Sequence, residues 1–246
     1  MNETYKGFVR FADGRRRHAI IKDLNQTQLA NELLASVLGK ALQLPVPDSY
    51  LGVVPTDVLP VSKVKLSDGS GHLVFVSADV ATPNLTQQVT THGDFVGLLL
   101  IEELKKWLNL GALYAFDSWI ANTDRHPGNL LIDGPNNIWL IDHGHAFTGP
   151  GWEPGDLDPV AAYQNKLALW LTARLSASQK SEKVNDAGVF ATRIGSVAIP
   201  DALQNSLADR LLPTDHAKAL KDFLMQRVQH VPRHAKEALG VPGLTL

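Results

Sequence analysis

The chain has 246 residues, of which 44% are apolar and 20% charged, so it can form a substantial core and is not expected to be disordered. Its net charge of −2 gives no electrostatic basis for direct binding of nucleic acid, and the absence of cysteine excludes disulfides, zinc–thiolate sites and thiol nucleophiles. The N-terminus has no apolar leader, and no run approaches the ~18 apolar residues of a membrane span, so we expect a cytoplasmic protein.

The first third of the chain predicts a small antiparallel sheet with one helix. Phe8–Phe11 and Arg17–Ile21 flank Asp13-Gly14, which is a strong hairpin signal. From Gln28 to Leu44 leucines recur at helical spacing, and two prolines end this helix. Apolar runs between residues 50 and 77 alternate with turn residues, and they predict three strands that complete the sheet.

The rest of the chain predicts a mainly helical lobe. Ser77–Leu85 is interpreted as the linker, which divides the chain into a small nucleotide-binding lobe (1–83) and a helical catalytic lobe (84–246). Leucine and aromatic stripes at helical spacing predict helices over Asp94–Leu108, Leu110–Ala121, Val160–Arg174, Asp186–Ile194, Pro200–Leu211 and Asp215–His230.

A polar loop and a short hairpin in the second lobe carry the candidate site. Leu130–Ile132 and Ile138–Ile141 are typical of strands, and Asp133–Asn137 between them is dense in turn-forming residues. If Leu130 pairs with Ile141, then Asn129 falls opposite Asp142. An amide and a carboxylate would then meet at the mouth of a small sheet.

A third oxygen-bearing side chain precedes this pair, because Asp124 lies five residues before Asn129 in the same loop. Mg²⁺ takes only a few protein oxygens and leaves its other positions to water and phosphate, so the set suits a magnesium–nucleotide site. In protein kinases a carboxylate likewise precedes the metal-binding asparagine by five residues, and a second metal-binding aspartate follows a hairpin.

The two motifs of this loop and hairpin resemble those of a known family. Asp124-Arg125-His126-Pro127-Gly128-Asn129, followed by Ile141-Asp142-His143-Gly144, resembles the catalytic and metal loops of the HipA-like kinases. The Asp-Arg-His order also occurs in lipid kinases of the phosphatidylinositol type. The resemblance implies that Asp124 is the catalytic base, that His126 shares this role or stabilises developing charge, and that Asn129 and Asp142 bind magnesium.

A second resemblance concerns the predicted helix of the first lobe. Asn31-Glu32 and the run at residues 38–47 are similar to the helix and helix exit of HipA-like kinases, in which the glutamate pairs with a strand lysine. Lys22 ends the second predicted strand, so the resemblance implies that Lys22 and Glu32 together bind the nucleotide. Periodicity alone places Glu32 on the polar face with Gln28 and Ser36, which fits either solvent or a water-filled cleft.

The resemblance as a whole implies an α+β, protein-kinase-like two-lobe fold with ATP and magnesium as cofactors. It further implies a serine/threonine kinase that acts on a protein, and a toxin–antitoxin context with an antitoxin as partner. The chain departs from the family in one motif: only Gly7 precedes Phe8 where these kinases have a glycine-rich phosphate loop. It also lacks the N-terminal subdomain of the longer toxins, so we expect either weaker nucleotide binding, a partner chain that completes the small lobe, or lost catalysis.

Three hypotheses follow from these observations. The first is an active protein kinase, with a lipid or small-molecule acceptor as a variant. The second is a kinase-like binding module with little turnover, which the missing glycine-rich loop suggests. The third is a metal-dependent hydrolase built from acidic and histidine side chains, namely Asp124, His126, Asp142, His143 and His145.

Overall fold

The computed structural model describes residues 2–134, 137–164 and 166–241. The strands are β1 (Thr4–Arg10), β2 (Arg16–Lys22), β3 (Ser49–Pro55), β4 (Val64–Lys65), β5 (Gly71–Ala78), β6 (Leu130–Ile132) and β7 (Ile138–Leu140). The helices are α1 (Gln26–Ala41), α2 (Leu85–His92), α3 (Asp94–Lys106), α4 (Leu110–Trp119), α5 (Lys166–Thr172), α6 (Ala177–Ile194), α7 (Ile199–Asn205), α8 (Ala208–Leu211), α9 (Thr214–Arg227) and α10 (Val231–Ala238). Pro135 and Asn136 of the predicted hairpin turn, and Asn165 of the predicted helix Val160–Arg174, lie outside the described residues.

The small sheet has the strand order β1-β2-β5-β3, and β4 pairs with β5; all of these pairings are antiparallel. The first hairpin turns at Asp13-Gly14, as predicted, because Gly14 supplies the positive φ of +83° that the turn requires. Strand β1 begins at Thr4, earlier than the predicted Phe8. Its first residues alternate polar and apolar side chains, so no apolar run marks them in the sequence.

Helix α1 lies between the sheet and the helices that follow. The Asn25 side chain caps it by accepting a hydrogen bond from the Gln28 N–H at 2.8 Å. It ends at Ala41 rather than at the predicted Leu44, because Gln43 adopts a positive φ of 60°. Its polar side chains are buried as well as its leucines. One of them, Asn31, donates hydrogen bonds to three backbone carbonyls, at Gly144, Ala146 and Gly149.

The helical part packs around α4, every residue of which is buried. Helices α6 and α10 pack against α4, and the Trp119 indole donates a hydrogen bond to the carbonyl of Leu224 on α9. One hydrophobic core runs from α1 through α4 to α10. None of the helices in the described ranges is long and apolar enough to cross a membrane.

Several predicted helix boundaries are wrong. Helix α6 begins at Ala177 after a capping box at Ser176, well before the predicted Asp186. The predicted helix Pro200–Leu211 is two helices, because Leu207 takes a positive φ of 60° between them. Helices α2 and α10 were not predicted, and α5 begins only at Lys166. The sequences of α2 and α10 are short and largely polar, so these two helices lack a long apolar stripe.

The register of the second hairpin also differs from the prediction. Leu130 pairs with Leu140, and Ile132 pairs with Ile138. Asn129 therefore lies opposite Ile141, whose N–H donates to its carbonyl at 3.2 Å, and not opposite Asp142. The reason is the turn, since the Asp133 N–H donates to the Asn137 carbonyl and fixes this pairing. Asp142 follows the strand in a positive-φ conformation.

Candidate active site

A cavity of about 400 Å³ lies between the small sheet and the β6–β7 hairpin. This volume falls within the roughly 300–1,000 Å³ that small-molecule sites usually have. The segment from Ser77 to Thr82, which begins with the last two residues of β5, forms one rim of the cavity. Its apolar walls are made by Ile20, Val46, Phe75, Leu131, Leu140 and Ile141.

Three charged side chains meet in this cavity. The Lys22 ammonium lies 2.7 Å from Glu32 Oε1 and 3.1 Å from Asp142 Oδ1. Glu32 Oε2 accepts a hydrogen bond from the His143 N–H at 2.8 Å, so one carboxylate connects strand β2, helix α1 and the loop after β7. The polar face of α1 is therefore directed at a cleft and not at bulk solvent. The Lys22 and Glu32 side chains are largely buried, whereas that of Asp142 is 48% exposed.

Burial and charge act in opposite directions on these groups. Burial alone would lower the pKa of Lys22, but the Glu32 and Asp142 carboxylates raise it above its ordinary value. Burial raises the pKa of Glu32, which the Lys22 charge offsets only in part. Burial also opposes ionisation of Asp142, yet the Lys22 charge and hydrogen bond bring its pKa below the usual range. Asp142 is therefore a carboxylate at neutral pH.

Asp124 lies beside the loop that follows β7. The preceding residue, Thr123, donates hydrogen bonds from its N–H (3.4 Å) and hydroxyl (3.3 Å) to the His145 carbonyl. The next residue, Arg125, donates to the Ile141 carbonyl at 2.7 Å. Asp124 is thus held between two residues that each contact the segment around Asp142. Its own carboxylate lies 2.5 Å from the ammonium of Lys166.

His126 and Asn129 each have one side-chain atom engaged inside the loop. His126 Nδ1 accepts a hydrogen bond from the Gly128 N–H at 3.1 Å, so a neutral ring carries its proton on Nε2. That tautomer can donate from Nε2 but cannot accept a proton there, which suits stabilisation of charge better than base catalysis. The Asn129 amide nitrogen donates to the Asp124 carbonyl at 3.0 Å, so its Oδ1 is the atom that could bind a cation.

A buried arginine fastens the loop to the hairpin. Arg125 is fully buried and forms a two-point ion pair with Asp117, with N–O distances of 3.0 and 3.1 Å. Its remaining nitrogen, Nη1, donates to the carbonyls of Asn129 and Ile141. Neither Arg125 nor Asp117 was among the predicted site residues. The available signal was Asp117, the one charged residue of helix α4.

The predicted site residues are brought together only in part. Lys22, Glu32 and Asp142 line the cavity, together with Gly128 of the loop. Asp124, His126 and Asn129 lie next to it and are not among the described residues of its lining. Asn129 is 3% exposed, and the side chain of Asp124 is 26% exposed.

The histidines proposed for a hydrolase do not converge on one point. His143 is buried edge-on to the Phe116 ring, and burial holds its pKa well below the ordinary value. The His126 ring is engaged with Gly128 as described above. Within residues 2–134, 137–164 and 166–241, no three His, Cys, Asp or Glu side chains form a group that could hold a metal ion. The geometry therefore gives the hydrolase hypothesis no support.

Comparison with known proteins identifies the family. The pattern of the HipA-like kinases matches residues 10–187, which are more than half of the chain and include all six predicted site residues. The chain belongs to the HipA-like kinase family. Among curated proteins, a sequence comparison finds no match.

Comparison with solved structures concerns the fold. The proinflammatory kinase CtkA of Helicobacter pylori superposes with a TM-score of 0.56 at 12% identity, over 97% of this chain and 92% of that chain. A structure of the Shewanella oneidensis MR-1 toxin–antitoxin system, HipA and HipB with operator DNA, gives a TM-score of 0.47 at 12% identity, over 98% of this chain and 66% of that chain. The likeness to CtkA confirms the predicted α+β, protein-kinase-like two-lobe fold, and family membership places the chain among kinases.

Proposed function

We propose that this protein is an ATP- and magnesium-dependent serine/threonine kinase that transfers the γ-phosphoryl group of ATP to a hydroxyl of a protein. One observation carries the proposal: the ammonium of Lys22 is held between the carboxylates of Glu32 and Asp142 inside a cavity with apolar walls. A cation fixed at this position can bind phosphate oxygens, while the apolar walls can bind the adenine ring.

The residues present fit a magnesium ion beside the phosphates. Asp142 supplies an ionised carboxylate that reaches the cavity, and Asn129 supplies an amide oxygen. Both are hard oxygen ligands of the kind that Mg²⁺ prefers. We assign the ion to these two side chains; when bound, it neutralises charge on the β- and γ-phosphates. The backbone of Ser77–Thr82 is assigned to the adenine edge.

In the proposed reaction the acceptor hydroxyl donates a hydrogen bond to the Asp124 carboxylate. The acceptor oxygen forms a bond to the γ-phosphorus, the bond from that phosphorus to the β–γ bridging oxygen breaks, and ADP leaves with the electron pair. The hydroxyl proton passes to Asp124, an effect typically worth about 10²–10⁴-fold in rate. His126 donates from Nε2 to a phosphoryl oxygen as negative charge develops.

We extend the proposal to the domains and the partner. The boundary between the lobes is placed at residues 83 and 84, because the Pro83 carbonyl and Asn84 already pair with the β6–β7 hairpin. The partner is proposed to be an antitoxin or a chain that completes the small lobe. Support for it is the exposure of two large apolar side chains on the small sheet, Phe8 (65%) and Val53 (59%). We propose a cytoplasmic location.

The first experiment tests nucleotide binding by thermal shift with ATP, in the presence and absence of magnesium. The wild type should be stabilised by ATP only when magnesium is present, and Asp142→Ala should lose this dependence. Asp133→Asn serves as a control, because it changes an exposed aspartate on the same hairpin outside the cavity. ATP stabilisation of Asp142→Ala equal to that of the wild type would contradict the magnesium assignment.

The second experiment measures radiolabel transfer from [γ-³²P]ATP to protein. Asp124→Asn should transfer at least about 10²-fold more slowly than the wild type, with Asp133→Asn unchanged. Equal labelling by Asp124→Asn would reject the base assignment. Magnesium-dependent ATP binding with no transfer to any acceptor would favour the kinase-like binding module. The observation that supports this alternative is that Gly7 lies within strand β1 and not in a phosphate loop.

A further inference from the structure

Lys166, which no sequence motif singled out, contacts the candidate catalytic base. It is the first residue of α5, and its ammonium lies 2.5 Å from Asp124 Oδ1. The next residue, Leu167, donates its N–H to the carbonyl of Arg125 at 2.6 Å. This backbone hydrogen bond fixes the start of α5 to the catalytic loop. Lys166 is therefore held near Asp124, although 42 residues separate the two in sequence.

Stability gives little reason for this contact. The Lys166 side chain is 68% exposed, and an exposed ion pair with a long flexible stem contributes little to folding. The ammonium also occupies Asp124 Oδ1, one of the two oxygens that could accept the hydrogen bond of the acceptor hydroxyl. The contact would therefore hinder catalysis if it persisted during the reaction. A lysine that moves from the carboxylate to an anionic substrate group would remove this hindrance.

The transferred phosphoryl group is the anion within reach. An acceptor hydroxyl that is hydrogen-bonded to Asp124 has its oxygen about 2.7 Å from the carboxylate. Before reaction, the γ-phosphorus lies about 3 Å from that hydroxyl oxygen. The phosphorus is thus within roughly 6 Å of Asp124. The Lys166 ammonium starts 2.5 Å from the same carboxylate. A change of its side-chain rotamer can therefore bring it to the oxygens of the γ-phosphoryl group.

We propose that Lys166 is a catalytic residue that binds the γ-phosphate of ATP and stabilises it during transfer. The inference rests on the proposed kinase function and deepens it by dividing the work between two lysines. Lys22, held by Glu32 and Asp142 in the cavity, contacts phosphates that ADP also possesses. Lys166 approaches from the Asp124 side and contacts only the phosphoryl group that leaves. It keeps its proton throughout, because Asp124 receives the proton of the acceptor hydroxyl.

The experiment compares the affinities of Mg–ATP and Mg–ADP by isothermal titration calorimetry. Lys166→Ala should weaken Mg–ATP binding roughly fivefold and leave Mg–ADP binding within about twofold of the wild type. Lys166→Arg, which keeps the positive charge, should retain most of the preference for ATP. Lys106→Ala is the matched control: Lys106 is 67% exposed and lies 3.8 Å from Glu103, but it is on α3.

Turnover gives a second readout. The steady-state rate of ATP consumption by Lys166→Ala should fall on the order of 10²-fold, as for the loss of one preorganised group that stabilises a transition state. An unchanged ratio of ATP to ADP affinity in Lys166→Ala would overturn the inference and leave the kinase assignment intact. Faster turnover by Lys166→Ala would also overturn it, because the lysine would then be an inhibitory latch on Asp124. Wild-type protein that binds neither nucleotide would overturn the proposed function, and the inference with it.

Discussion

Two buried arginines each hold a loop near the candidate site, but their charges are balanced in different ways. Arg125 holds the loop after α4 to the hairpin, through the carbonyls of Asn129 and Ile141. Arg227, the last residue of α9, donates to the carbonyls of Ser118, Asp158, Pro159 and Ala161, and so holds the segment that precedes Lys166. Both side chains are fully buried, and both bind loops mainly through backbone carbonyls.

The two arginines differ in how their charge is balanced. Arg125 pairs with Asp117, whereas the contacts of Arg227 are carbonyl dipoles and the rings of Tyr163 and Phe223, at 5.0 and 5.3 Å. Burial accordingly lowers the pKa of Arg227 to about 10. Carbonyl acceptors remain whatever side chain the loop residue carries. Each arginine contacts several carbonyls of its loop at once, so its substitution tests directly how much it contributes to holding that loop.

The largest effect is expected for Arg125→Ala. The substitution removes the cation that balances Asp117 in the core, and breaking a buried ion pair typically costs about 3–5 kcal/mol. The free energy of unfolding, measured in urea, should fall by about this amount. Phosphotransfer should fall as well, because the carbonyls of Asn129 and Ile141 lose their shared donor.

A charge-free double variant separates stability from positioning. Asp117→Leu/Arg125→Met removes both charges and should recover part of the lost stability, since apolar replacement of a buried pair is often close to neutral. Phosphotransfer should remain low in the double variant. Full recovery of transfer would mean that the ion pair contributes to stability alone and does not position Asp124.

The effect of Arg227→Met should be smaller, about 2–3 kcal/mol. The substitution leaves buried carbonyls without their donor, but it also relieves the cost of burying a charge whose contacts are dipoles. Limited proteolysis should then cleave the segment around Asp158–Ala161 faster than in the wild type, because three of its carbonyls lose the Arg227 donor. A loss of stability as large as that of Arg125→Ala would contradict the distinction between a buried charge that forms an ion pair with a carboxylate and one that contacts mainly backbone carbonyls.

The sequence predicted the sheet and α1 well because their signals are local. The Asp13-Gly14 turn and the leucine spacing of α1 are each contained in a short window. The register of the second hairpin was wrong because it depends on closure between Asp133 and Asn137, which the composition of the turn does not specify. Helices α2 and α10 were missed because they are short and polar.

The residues of the candidate site could be predicted from the sequence, but the contacts between their side chains and the rest of the chain could not. Helical periodicity could not distinguish solvent from a cleft at Glu32, because both surround a polar face. The contacts of Arg125 with Asp117, and of Lys166 with Asp124, join residues whose separation in sequence has no periodic meaning. Such pairs become visible only when the fold brings their elements together.

Lys22, which contacts Glu32 and Asp142 in the cavity, is predicted to affect nucleotide binding more than stability. Lys22→Met should weaken Mg–ATP binding about tenfold, or about 1.4 kcal/mol, because a cation at the phosphates is lost. Stability should change less than in Arg125→Ala, because the buried Glu32 can take up a proton when its cation is removed, as its raised pKa indicates. Lys40→Met, at the far end of α1, should leave affinity unchanged. Equal ATP affinities for wild type and Lys22→Met would remove Lys22 from the site.

The smallest effect concerns His234, which lies beside Arg227 and near Arg233 and His230. Burial, and next the Arg227 charge, lower its pKa to about 4, whereas in the unfolded chain it protonates near pH 6.5. The unfolded state therefore binds the proton first as the pH falls, and stability is lost from about pH 6.5 down to about pH 4. Between pH 7 and 5.5 this loss should be about 1 kcal/mol in urea unfolding. His234→Gln should remove that share of the pH dependence, and an identical slope in the variant would show that His234 is not the group responsible.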